Sequence, residues 1–158
     1  MSRLLLIPLL AIVYEDFKYR AIHWWWVVAI AVLGFFLREA SFKMTLLNMC
    51  FVLIQFVGVS LYFSIKHRQF INVTTSYLGW GDIAFFIAVS FCFNPIEFIH
   101  FHIYSMVFTL IGFIIFQNKI KSQFTTIPLA GWMSIFLGIC LIVNWLMDYN
   151  ILERWRLI

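Results

Sequence analysis

Apolar residues run along this chain in six long blocks, broken only by short polar punctuation. The blocks cover residues 3–17, 22–37, 45–65, 82–94, 96–116 and 128–147, and the connectors read "EDFKYR", "REASFK", "KHRQFINVTTSY", "NP" and "QNKIKSQFTT". Apolarity sustained over such lengths is the pattern of membrane-crossing helices, because about 20 helical residues cross a hydrocarbon core of about 30 Å. A helix also satisfies its own backbone where no water can. The pattern predicts an all-α integral membrane protein, a bundle of about six transmembrane helices forming a single membrane-embedded domain over residues 1–158. No connector is long enough to fold separately, and neither an internal repeat nor a low-complexity linker interrupts the chain.

Two blocks, the first and the fourth, are short for a full crossing, and each abuts an aspartate. From Met1 to Asp16 a helix rises only about 22 Å, which sets Asp16 within the membrane's depth or close to the headgroups. Asp82 stands the same way if the fourth helix begins beside it.

Composition agrees with this reading: 64% of residues are hydrophobic and 11% charged, against about 25% charged in an ordinary soluble domain. The net charge of +4 does not point to nucleic acid, since the basic residues are spread through the loops with no basic face. They serve instead as topology signals. Six passes place Lys18, Arg20, Lys66, Arg68, Lys119 and Lys121 on one side, and Arg3, Arg38 and Lys43 on the other, with Arg154 and Arg156 in the tail. Over the N-terminus and loops the balance is six to three, which puts the first group, with Asp16 and Asp82, on the cytoplasmic side. Trp24, Trp25 and Trp26 open the second helix at that interface as anchors. The N-terminal "MSRLLLIPLLAIVYEDF" has the outline of a signal peptide, but the bulky, charged "YEDFKYR" follows where a cleavage site needs small residues. The segment is expected to stay in the mature protein. Cys50, Cys92 and Cys140 sit singly within apolar segments, without metal spacing, and are expected to be buried packing residues; no metal and no organic cofactor is expected.

An acid within a membrane segment costs at least about 2.5–3.5 kcal/mol on insertion scales, so its default reading is functional. Two acids at one depth sharpen it. Carboxylates that share a site tend to hold one proton between them. One can then draw a proton from water while its protonated partner polarises a peptide carbonyl, and the titration belongs to the pair. In "SYLGWGDIAFF", Gly79 and Gly81 permit backbone conformations closed to other residues and the close approach of a second chain, so a substrate strand can lie there. A Gly-x-Gly-Asp string alone describes equally well a turn into a helix capped by its Asp.

The remaining polar residues have plainer expectations. Glu15 and Asp16 diverge by about 100° on a helix, so only one faces the partner acid; Glu15 is expected to be solvated at the interface. Lys18 and Arg20 act on the neighbouring acid or a lipid phosphate, or simply mark the cytoplasmic side. His100 and His102 point to different helix faces and serve as polar residues in a bundle. Glu97 is expected near the outer end of the fifth helix, within reach of solvent or headgroups. Gly112, Gly131 and Gly138 are expected to allow close helix packing.

"YEDFKYRAI" makes the pattern specific, since it resembles the aspartate motif of the type IV prepilin peptidases, Asp-x-basic-x-Arg-x-Ile. Asp16, Lys18, Arg20 and Ile22 match, with His23 where Pro is common. The second motif of that family, Gly-x-Gly-Asp, matches Gly79, Gly81 and Asp82, with Ala84 where many members carry Lys. A third element, an Ile-Pro opening of the last helix, resembles Ile127 and Pro128 in "TTIPLAGW". The resemblance implies an intramembrane aspartyl endopeptidase that removes the leader of prepilin-like or pseudopilin-like proteins at the cytoplasmic face of the inner membrane. Asp16 and Asp82 would be its catalytic pair, with Gly79, Gly81, Lys18, Arg20 and Pro128 positioning substrate. Larger members carry a zinc-binding cysteine insertion linked to N-methylation; nothing here corresponds to it, which implies cleavage without methylation. A presenilin-like arrangement fits less well, because there the two acids sit on neighbouring helices, and here two whole apolar blocks separate them. The rival from another class is a noncatalytic membrane subunit that binds pilin-like helices. An ion or proton carrier would need a polar path that the outer halves of the segments do not supply.

Overall fold

The computed structural model describes residues 2–38, 42–68, 79–120 and 128–147, and within them every regular element is helical. A 3-10 turn over Ser2–Leu5 leads into α1 (Leu6–Tyr19), followed by α2 (Trp24–Arg38), α3 (Phe42–His67), α4 (Trp80–Ser90), α5 (Pro95–Ile120) and α6 (Leu129–Met147). Each helix coincides with one of the six apolar blocks to within a few residues. Ile127, most of the loop from Lys66 to Leu78 and the tail carrying Arg154 and Arg156 lie outside the described residues.

The expected bundle of about six transmembrane helices is corrected to six helices of which three have spanning length. Among the described residues, Phe42–Lys66, Pro95–Phe116 and Leu129–Leu146 are the helices long and apolar enough to cross a membrane. The reason is rise per residue. With 14, 15 and 11 residues, α1, α2 and α4 reach about 21, 22 and 16 Å, well short of about 30 Å.

Helix α1 lies against α6 and α2, α2 against α4, and α5 against α6, while α3 runs along α4 and α5. From Leu5, the last residue of the 3-10 turn, into α1 the buried positions are Leu5, Pro8, Leu9, Ile12 and Asp16, a spacing of three and four that marks one helix face. Asp16 is thus the last position of the stripe that α1 turns inward. Close approach elsewhere depends on absent side chains. A Cβ at Gly34 would meet Cys92 Sγ at 2.5 Å, and one at Gly112 would meet the Trp132 ring at 2.7 Å. Those contacts seat α2 on the end of α4 and α5 on α6.

Residues 91–94 between α4 and α5 form a largely buried turn, with Cys92 at 9% and Phe93 at 1% exposure. Buried backbone must find partners, and here side chains supply them. Asn48 of α3 donates from Nδ2 to the Ser90 carbonyl at 2.9 Å and to the Phe93 carbonyl at 2.8 Å. Pro95 opens α5 at the one place where a missing N–H costs nothing. Glu97 reaches back to accept from Asn94 N at 3.2 Å and Asn94 Nδ2 at 3.4 Å. Glu97 is therefore wholly buried, not within reach of solvent as expected, because it caps its own helix.

Cys92 and Cys140 are buried as expected, whereas Cys50 is exposed on α3. That helix shows most of its apolar surface, including Leu46, Leu47, Leu53 and Ile54, a face suited to lipid. His102 is buried among the rings of Phe51, Phe86 and Phe98, and His100 Nδ1 lies 2.9 Å from the Ile96 carbonyl oxygen; the expectation of polar residues inside a bundle holds best for His102.

Replacing Asn48 by Ala strips both carbonyls at the end of α4 of their donor. The expected loss is about 1–2 kcal/mol, the range for interhelical hydrogen bonds in membrane proteins, read as a lower unfolding midpoint in detergent or bicelles.

Candidate active site

Helix α6 starts in a way that decides what gathers around it. Pro128 is buried at its entry, and the Pro128 carbonyl accepts the first helical bond, from Trp132 N at 3.2 Å. The amides of the opening turn have no partner within their own helix. Two of them find carboxylates. Ala130 N donates to Asp82 Oδ1 at 3.0 Å, and Gly131 N donates to Asp16 Oδ2 at 2.6 Å.

Neighbouring amides on one helix turn thus bring together two acids 66 positions apart in the chain, Asp16 from the last turn of α1 and Asp82 from the first turn of α4. Asp16 is 6% exposed, and Asp82 is half-buried. The two acids interact with each other electrostatically, and the Arg20 guanidinium acts on both. The positive end of the α6 dipole adds to this and offsets part of the repulsion between two negative groups.

Gly131 is small for a measurable reason. A Cβ there would stand 2.9 Å from the Phe17 ring and 3.0 Å from Asp16 Oδ2. The packing role expected of Gly131 is present, and it is packing against the acid itself. Behind it, Trp132 stacks edge-on to Phe17 with centroids 5.4 Å apart.

The entry to α4 is built by Asp82 as well. Its Oδ2 accepts from Gly79 N at 3.2 Å, while Asp82 N donates to the Gly79 carbonyl at 3.1 Å, so the aspartate reaches back from N3 as in one half of a capping box and a backbone turn bond closes the other side. Gly79 has φ −69° and ψ 148°, and no described glycine has a positive φ. The unusual backbone freedom invoked for Gly79 and Gly81 is therefore not what they supply. At Gly81 the requirement is room, since Ile22 Cδ1 lies 3.2 Å from where a Cβ would be. The two aspartate motifs meet at that contact.

The first motif divides between two faces. Arg20 ends α1 in the left-handed region, at φ 54°, a conformation uncommon for a residue with a side chain, and this brings its charge toward the acid pair. Lys18 is two residues from Asp16, about 200° around the helix, and lies on the exposed side. There it donates to the Tyr14 hydroxyl at 2.5 Å and sits over the rings of Tyr14 and Tyr19 at 4.9 and 5.0 Å. The structure gathers Asp16, Asp82, Arg20, Gly79, Gly81 and Pro128 at one end of the bundle and leaves Lys18 on its rim.

Glu15 departs from expectation. It is not solvated but bound to His23 and Trp26 at the start of α2. Trp24 and Trp25 are exposed and stacked at 3.6 Å between centroids, whereas Trp26 turns inward. Sequence reasoning also missed the amides of Ala130 and Gly131. "IPLAG" marked a helix start, but a backbone donor leaves no trace in residue identity.

The family model for the Type IV leader peptidase family matches residues 3–116, which takes in Asp16, Asp82 and α1 to α5 up to Phe116. No curated protein and no solved structure matches the chain.

Gly131→Ala forces a methyl between Phe17 and Asp16 and is expected to destabilise by about 1–3 kcal/mol, as overpacking does. Gly138→Ala is the control, because its Cβ would meet only Leu6 at 3.9 Å. Thermal unfolding in detergent should separate the two, with the midpoint of Gly138→Ala unchanged or slightly raised by the better helix former.

Proposed function

The chain belongs to the type IV leader peptidase family, and we propose that it is an aspartic-type endopeptidase with Asp16 and Asp82 as its catalytic pair. The observation that carries this reading is the placement of both carboxylates on adjacent amides of one helix turn, Ala130 and Gly131. Paired acids held at one spot are the requirement for a shared proton. One carboxylate takes a proton from water as the water oxygen bonds to the scissile carbonyl carbon. Its protonated partner gives a proton to the carbonyl oxygen. Collapse of the tetrahedral intermediate breaks the C–N bond, with a proton passed to the leaving nitrogen.

The substrate class is a prepilin-like or pseudopilin-like membrane protein with a short basic leader. Arg20 sits close enough to act on both acids and serves to orient the pair or a substrate carbonyl. Pro128 fixes the entry of α6, and Gly79 fixes Asp82 through its amide. The site lies at the cytoplasmic face of the inner membrane, the side to which the six-to-three excess of Lys and Arg points. Trp24 and Trp25, exposed beside the site, fit a headgroup layer, and one membrane-embedded peptidase domain accounts for the chain.

Asp16→Asn and Asp82→Asn test the mechanism, because Asn keeps an oxygen to accept the Gly131 or Ala130 amide, although in Asp82→Asn the NH2 then faces the Gly79 amide and that cap bond is lost. The fold should survive while a positioned acid or base, worth about 10²- to 10⁴-fold, is lost. Cleavage of a leader peptide joined to an apolar helix, in liposomes, is expected to fall by at least about a hundredfold in each variant. Wild-type turnover by Asp16→Asn would sink the aspartic mechanism.

A further inference from the structure

The geometry points to Glu15 as a positioning residue for the acid pair, acting through a clamp on the corner between α1 and α2. This inference rests on the reading of Asp16 and Asp82 as the catalytic pair. The Glu15 side chain is only 13% exposed, and both of its oxygens are engaged by the next helix. Oε2 accepts the His23 backbone amide at 2.9 Å, while Oε1 lies 2.8 Å from His23 Nδ1 and accepts from Trp26 Nε1 at 3.1 Å. An ionised carboxylate only accepts, so His23 carries a proton on Nδ1 in this arrangement.

The corner thus closed holds three groups of the site. Arg20 leaves α1 in its left-handed conformation, Ile22 rests on Gly81, and Asp16 is the immediate neighbour of Glu15 on the last turn of α1. That turn is where a helix frays, because its final carbonyls lack helical partners. Rotation or fraying there would swing Asp16 off the Gly131 amide. Glu15 faces α2 about 100° around the helix from Asp16, so fixing one side chain fixes the rotation of the turn and the direction of the other. Trp26 N, bonded to the His23 carbonyl at 3.1 Å, completes the first turn of α2 on the far side of the clamp.

Two readouts test this in the full-length protein. Ala130–Gly131 is the only Ala-Gly step in the sequence, so carbonyl-¹³C alanine with ¹⁵N glycine isolates the Gly131 amide, whose proton reports its hydrogen bond to Asp16. Glu15→Ala is expected to move that resonance while leaving Gly138 in place. It should lower kcat on a leader peptide about ten- to a hundredfold, the scale of a misplaced catalytic group, with KM little changed. Glu15→Gln retains one oxygen acceptor but turns its NH2 toward the other donor, so it should restore only part of both. A Gly131 resonance unmoved by Glu15→Ala overturns the inference, as does a moved resonance with wild-type kcat. If the wild-type protein cuts no leader peptide, the proteolytic reading fails, and the Gly131 resonance alone still decides whether Glu15 positions Asp16.

Discussion

A helix cannot satisfy the amides of its own first turn, and the start of α6 makes that deficit the organising constraint of the molecule. Pro128 contributes no N–H, and the donors at Ala130 and Gly131 take their acceptors from α4 and α1. In an apolar bundle an unsatisfied amide costs several kcal/mol, so two buried donors hold two acids with unusual firmness. The same contacts close the packing of α1 on α6. Remove the acids, and the helix end is orphaned; remove the helix end, and two carboxylates lie together with Arg20 left to offset their repulsion.

Short helices are what make this possible. With 14 residues in α1 and 11 in α4, the elements bearing the acids have less than spanning length, and their ends bring polar groups to one end of a bundle whose longer helices, α3, α5 and α6, have spanning length. Water, needed by any hydrolytic reaction, reaches such an end more readily than the middle of a crossing. Glycines set the spacing around it: Gly131 lets Phe17 and Asp16 come up to α6, and Gly81 lets Ile22 come up to α4. Both are conditions of volume, not of backbone freedom.

Polar residues away from the acids follow the same economy. Glu97 and Glu15 were expected at the surface or interface, and each instead accepts from backbone or side-chain N–H donors at a helix end or corner, while Asn48 donates to the Ser90 and Phe93 carbonyls. Where packing offers little hydrophobic discrimination between helices, such bonds specify which ends meet.

Six apolar blocks and two aspartates beside the shortest of them were legible in the residues, because apolar length is written directly in composition and a lone acid in such company stands out. The resemblance of "YEDFKYRAI" and "GWGD" supplied the order of the motifs. Tertiary structure decided the rest. On a helix apolar on every side, as α1 is from Leu6 to Val13, no periodicity marks the inward face, so only packing against α6 shows that Asp16 closes the buried stripe and Glu15 does not. The donors at Ala130 and Gly131 belong to the backbone, which every residue shares. No sequence can announce them until a helix ends in the right place.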